Sequence, residues 1–143
     1  MAAADLNAVR AVIEGRLATE LKSSPGVRIP VVFHNMAYEP TPNSSWVQCL
    51  VSFGSNEYLS FGGTTASDNR IVGLLLINIF SAKGVGPGAN YTIGKRVRDL
   101  YNRVNVSGVY FDAATGPEVL GSPAPEGYFQ TQVRVTFESI EEL

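Results

Sequence analysis

The chain has 143 residues, the length of one ordinary domain, and its 45% hydrophobic and 17% charged residues are the composition of a folded globular protein rather than a disordered one. A formal net charge of -2 and an isoelectric point near 5.4 supply no excess of cations for wrapping a phosphate backbone. The single cysteine, Cys49, excludes an intrachain disulfide and a cysteine metal cluster, and its place in an extended apolar segment reads as a small buried hydrophobe.

Along residues 5–21 the apolar positions Leu6, Val9, Ile13, Leu17 and Leu21 recur at three-and-four spacing, which predicts a helix with one buried stripe and Asp5 as its N-cap. This amphipathic start lacks the basic segment and long apolar run of a signal peptide, so the chain is expected to stay in the cytoplasm where it is made. Ser23, Ser24, Pro25 and Gly26 stop the helix. Residues 28–33 predict a short strand whose Pro30 suits an edge or a strand start. A loop over 34–45 contains Pro40 and Pro42, and residues 46–53 then alternate, with Trp46, Gln48, Leu50 and Ser52 on one face and Val47, Cys49, Val51 and Phe53 on the other. Gly54, Ser55 and Asn56 are expected to end that strand, and 57–61 to resume as a hairpin arm before the small, polar loop 62–69.

The almost continuous apolar run over 70–81 predicts a central strand covered on both faces, and is too short to span a bilayer as a helix. Gly84, Gly86, Pro87 and Gly88 precede a second helix with Ala89, Ile93, Val97, Leu100 and Tyr101 at helical spacing, ending near Asn102. Residues 109–112 predict another short strand, and 113–126 are rich in Gly, Pro, Ala and Ser, with brief pairing at Val119 and Leu120. The last run, 128–139, sets Phe129, Thr131, Val133, Val135 and Phe137 against Gln130, Gln132, Arg134, Thr136 and Glu138. The expected fold is therefore α+β, one domain over 1–143, with a mixed, largely antiparallel sheet, two helices packed on it and an extended hairpin or loop arm.

Chemical motifs are weak. The glycines before the second helix match neither GxGxxG nor GxxxxGK[ST], because Gly88 and the Gly94-Lys95 pair are one residue too far apart and Arg96 stands where a hydroxyl is needed. His34 is the only histidine, with no strained nucleophile turn near it, and no i, i+4 ligand pair joins it to Asp68 or Asp112 for a metal. Glu138, Glu141 and Glu142 read as solvated groups at a frayed terminus, and Lys95, Arg96, Arg98 and Arg103, interrupted by Asp99, as a solvated or subunit-facing helix surface. Tyr38, Trp46, Tyr58, Phe61 and Tyr91 are packing residues, or contact residues where they fall in loops. No catalytic, cofactor or metal site is expected.

The segments PVVFHNMAYEPTPNSSWVQCLV, LLLINIFS and KGVGPGANYTIGKRVRDLY resemble the tail terminator family of long-tailed bacteriophages. The matching points are Pro30, Asn35, the Pro42 loop, Trp46-Val47 opening the next strand, and the glycine-rich turn before a helix with Arg98 and Leu100; residues 113–126 match nothing in that pattern. The resemblance implies a non-enzymatic virion protein, a ring of six that caps the tail tube, ends its polymerisation and joins it to the head connector. The implied partners are the chain itself, the tube protein, the head-completion protein and, in a contractile tail, the sheath, with only passive contact to passing DNA. Tyr58, Phe61, Thr64, Thr65 and Asp68 are then expected at the tube or neck, and Gln130, Gln132, Arg134 and Glu138 at the channel or a subunit interface. A head-side connector or a tube subunit is the alternative, and a small-molecule-binding domain or enzyme the different-class one.

Overall fold

The computed structural model describes residues 6–23, 29–33, 45–58, 68–82, 88–119 and 128–142. Helix α1 (Leu6–Ala18) continues into a π-helical turn, Thr19–Ser23. After it come β1 (Val31–Phe33), β2 (Trp46–Tyr58), β3 (Asp68–Ala82), α2 (Gly88–Tyr101), β4 (Asn105–Val106), β5 (Val109–Phe111), β6 (Thr115–Val119) and β7 (Tyr128–Glu142). The seven strands form one sheet in the order β1-β2-β3-β7-β5-β4, with β6 also paired to β7. Only the β1–β2 pair is parallel; all the others are antiparallel. This is the expected α+β architecture, a mixed and largely antiparallel sheet carrying two helices.

Both helices lie on one face of the sheet. Val9, Ile13, Leu17 and Leu21 from α1, with Ile93, Val97 and Tyr101 from α2, bury against Val47, Cys49 and Val51 of β2, Leu75, Ile77 and Ile79 of β3, Val109 and Phe111 of β5, and Val133, Val135 and Phe137 of β7. The three-and-four stripe in α1 and the alternation in β2 and β7 thus meet in a single core. Leu6, the first member of the stripe, stays exposed.

Two interlocks fix α2 on the sheet. In its first turn the fully buried Asn90 directs Nδ2 to Ile79 O (3.0 Å), Ser81 Oγ (3.2 Å) and Phe129 O (3.1 Å), while Thr131 donates its hydroxyl to Asn90 Oδ1. At the other end the Tyr101 hydroxyl donates to Ile13 O (2.6 Å), joining α2 to α1. Between them Gly94 lies under the ring of Pro117 in β6, where a Cβ would come within 2.7 Å of a ring carbon.

The strand pattern departs from the sequence reading at five places. Gly54, Ser55 and Asn56 do not end β2: a register shift between Phe53 and Asn56 absorbs them as a bulge, and pairing with β3 runs on to Tyr58 opposite Asn69. The central strand β3 is covered on both faces only over part of its length: both helices pack on one side, and on the other Asn78 and Phe80 are buried while Leu74 is 37% exposed and Val72 and Leu76 half-buried. The short strand near 109–112 is the second arm of a hairpin with β4, turned by Ser107 (φ 48°) and Gly108 (φ 83°), the pair of positive φ angles a two-residue turn between antiparallel strands requires. Within 113–126, pairing with β7 includes the expected Val119, opposite Thr131, but starts earlier, at Thr115, while Leu120 lies outside the described residues. Finally, β7 does not fray after 139; it pairs with β3 as far as Glu142 opposite Asp68. Of the expected features, the Asp5 cap, the stop at 24–26, the loop 34–44 with Tyr38 and His34, the loop 59–67 and the glycine turn 83–87 lie outside the described residues.

Candidate interaction surfaces

The face of the sheet opposite the helices is where the polar half of β7 stands. Register places Gln48, Asn78 and Gln132 side by side across β2, β3 and β7. Their amides bond in sequence: Gln132 Nε2 donates to Asn78 Oδ1 (2.9 Å), and Asn78 Nδ2 donates to Gln48 Oε1 (3.0 Å). On one side of this ladder Trp46 stacks on Phe80 (centroids 4.2 Å apart), with Tyr128 edge-on to both and Val32 beside them. Trp46 and Phe80 are buried there, so Trp46 is a packing residue and not an exposed contact aromatic. On the other side the cross-strand neighbours Leu50 and Leu76, then Leu74 and Val72, remain partly accessible.

Of the predicted channel or subunit residues, Gln132, Arg134 and Glu138 are therefore brought onto one face and each has a partner. Arg134 pairs with Glu118 of β6 (3.1 Å) and Glu138 with Arg70 of β3 (3.1 Å). Gln130, opposite Phe80, is half-buried on the same face. The ion pair of Glu138 and the position of Glu141 and Glu142 inside β7 correct the expectation of a frayed end. Of the predicted tube or neck residues, Tyr58 closes β2 and Asp68 opens β3, so both flank the arm, while Phe61, Thr64 and Thr65 lie outside the described residues. The sequence reading missed Gln48 and Asn78 as members of the ladder. Alternation placed Gln48 on the correct face, and Asn78 was a polar break in an apolar run, but only the register joins them.

The outer side of α2 is a second surface. Lys95 pairs with Asp99 (2.5 Å), Arg98 with the same carboxylate (3.2 Å), and Arg96 with Glu20 (2.9 Å). These partners hold the Asp99 carboxyl below the usual carboxylate range, the hydrogen bond from Lys95 acting most strongly. Tyr91, Thr92, Lys95, Arg96 and Asp99 line an open concavity of about 420 Å³. Among the described residues no group of three or more His, Cys, Asp or Glu could hold a metal ion, and no helix is long and apolar enough to cross a membrane.

Two titratable groups lie in the core instead. Burial, helped by the Glu14 carboxylate, pushes the Cys49 thiol from 9.0 up to about 12. Burial first, then the neighbouring Cys49, pushes the Tyr101 phenol upward as well. A folded-state pKa raised above the unfolded value means that stability is fully present below the unfolded pKa and is lost as pH rises through the gap. Stability against urea is thus expected to hold to about pH 9, and then to fall towards pH 12, with Cys49 unreactive to thiol reagents until the chain unfolds. A denaturation midpoint that stays flat from pH 8.5 to 11 would contradict the assignment, as would rapid labelling of the native thiol.

No family model matches the chain and no curated protein matches it. Seven chains of solved structures do. One of them, whose name carries no functional description, superposes with a TM-score of 0.66 over 96% of this chain and 96% of its own, at 13% sequence identity. At that identity the similarity is one of fold.

Proposed function

We propose that the chain is a structural ring protein of a phage virion, a tail terminator that closes as a hexamer on the end of the tail tube and presents the opposite side of the ring to the head connector. The reading rests on the resemblance of residues 30–51, 74–81 and 83–101 to that family. The observation in the structure that supports it best is the uncovered sheet face. There Leu50, Val72, Leu74 and Leu76 stay accessible beside a hydrogen-bonded amide ladder and two internal ion pairs, a surface suited to contact rather than to chemistry.

In the ring, Gln130, Gln132, Arg134 and Glu138 face the channel or a neighbouring subunit, and the arm that begins at Tyr58 and Asp68 and contains Phe61, Thr64 and Thr65 packs on the tube or neck. The face suits passing DNA as well as a neighbour, because Arg134 and Arg70 are neutralised by Glu118 and Glu138, and affinity for phosphates grows with the cations left to release counterions. A ring of identical subunits uses heterologous contacts, and closure of the rotation stops further growth. The partners are then the chain itself, the tube protein, the head-completion protein and, in a contractile tail, the sheath.

The test is mass. Native mass spectrometry of the purified protein is expected to show a closed hexamer, and assembled tails to carry six copies at the head-proximal end. Open filaments of the pure protein would favour a tube subunit instead. A single copy per tail would overturn the ring.

A further inference from the structure

The uncovered face of the sheet is ordered in rows. Across its middle run Ser52, Leu74 and Thr136, paired in register on β2, β3 and β7. The next row on one side holds Leu50, Leu76, Arg134 and Thr115, and the next on the other holds Val72, Glu138 and Tyr110. Leu74 and Tyr110 are exposed there, as are Arg134 and Thr136. Charge follows the same order. Arg134 and Glu138 flank the middle row on one strand, and each is held within the chain, Arg134 by Glu118 and Glu138 by Arg70. These four side chains keep 37–49% of their surface accessible, so each pair has room for a further opposite charge.

This order is its own complement when reversed. A half-turn about the line through Ser52, Leu74 and Thr136 sets β3 and β7 antiparallel to the same strands of a second copy. Arg134 then stands over the partner's Glu138, Leu76 over the partner's Val72, Tyr110 over the partner's Thr115, and Leu74 over the partner's Leu74. Stacked sheets lie about 10 Å apart, within the combined reach of long side chains from both. On each side of the axis the charges then read Glu118, Arg134, the partner's Glu138 and the partner's Arg70, alternating in sign. A parallel setting would oppose Arg134 to the partner's Arg134 instead. The rows from Asn78 to Arg70 across four strands, at about 4.8 Å per strand and about 3.3 Å per residue, offer about 600 Å² per copy, the lower end of what a specific pair buries.

We infer that two copies of the chain pair through this face, about a twofold axis at Leu74 and Thr136. The occupant is a second copy because one face supplies both halves of the charge pattern and meets its own apolar row at the centre. The pair goes beyond the ring and does not rest on it, since a twofold contact closes at two copies and cannot propagate around a ring. Mass action gives the pair the dilute range and the hexamer the concentrated one, because ring closure draws on six copies at once.

Sedimentation velocity of the full chain over a dilution series tests the pairing. Wild-type protein is expected to pass from monomer to dimer at about micromolar concentration, and less readily as salt rises. Leu74→Asp sets two carboxylates together on the axis and is expected to weaken pairing about tenfold. Arg134→Glu and Glu138→Arg are each expected to weaken self-pairing about tenfold, since both cross-axis contacts then join like charges. An equimolar mixture of these two variants is expected to pair as the wild type does, because every contact between them is again of opposite sign. Circular dichroism checks the folding of each variant. Should a reversal beside Glu118 or Arg70 disturb the strand, Arg134→Gln and Glu138→Gln take its place, each expected to weaken pairing about threefold. The pairing is overturned by a wild type that stays monomeric until the hexamer appears, by pairing indifferent to Leu74→Asp and to both reversals, by folded variants whose mixture fails to pair, or by a monomer that binds a DNA duplex through Arg134. A pair that never gives way to a hexamer keeps this inference and removes the ring, whereas a hexamer with no pair on dilution does the reverse.

Discussion

Replacing Asn90 with leucine is expected to destabilise the protein by about 3 kcal/mol, seen as a fall of about 10 °C in the melting temperature. Leucine has the branching and the number of side-chain heavy atoms of asparagine, so no cavity is left, and its bulkier methyl groups add some overpacking to the loss of the hydrogen bonds. With the amide gone, the carbonyls of Ile79 and Phe129 and the hydroxyls of Ser81 and Thr131 lose their partner in a site where Asn90 and Thr131 are fully buried. A buried polar group left without a partner costs its desolvation, and four groups are affected together. Because Asn90 is the only tie at the start of α2 that reaches both β3 and β7 among the described hydrogen bonds, the first turn of α2 should also lose protection from hydrogen exchange before the rest of the helix. Unchanged melting, or exchange that rises uniformly over α2, would show that the helix is held by its apolar contacts and the Tyr101 bond without Asn90.

Gly73→Ala is expected to cost about 2–3 kcal/mol, at the upper end of what one added methyl does in a packed interior. A Cβ at this position of β3 would overlap Phe137 Cζ, approach Phe137 Cε1 to 2.8 Å and reach 2.7 Å from the carbonyl oxygen of Ser52. The ring cannot swing aside freely, since Phe53 meets it edge-on at 5.8 Å and Phe111 packs at 6.1 Å. The aromatic ring on β7 thus occupies the space above a cross-strand glycine that has no side chain of its own. Trimming the ring with Phe137→Leu should therefore cost less in the Gly73→Ala background than in the wild type, although the contact with Ser52 O remains. Strictly additive effects in that double-mutant cycle would refute the steric account.

How much of this was legible beforehand depends on the range of the interaction concerned. The stripe Val9, Ile13, Leu17 and Leu21 and the alternation of 128–139 are local periodicities, and both appear in the core as read. They fixed the fold class, because two amphipathic helices and several half-apolar strands can bury their faces only by packing the helices on a sheet. The continuous apolar run of β3 reads as doubly covered throughout, yet only its Asn78 and Phe80 end is, because composition cannot tell which side the helices take. Both chose the same side, and Leu74 and Leu76 were left beside Leu50 at the other.

Residues 54–56 carried a strong turn composition, yet the long register between β2 and β3 absorbed them as a bulge, since paired backbone on both sides of one extra residue outweighs their local preference. The same long-range pairing turned Glu138 and Glu141 from a presumed loose end into members of β7. The candidate surfaces follow the same division. Sequence alone determined that the polar face of β7 carries Gln130, Gln132, Arg134 and Glu138, because a strand alternates whatever it pairs with. Only the tertiary structure decided that Gln132 joins Asn78 and Gln48, that Arg134 meets Glu118, and that Glu138 meets Arg70, because partners far apart in the chain are chosen by strand register, which no local pattern encodes.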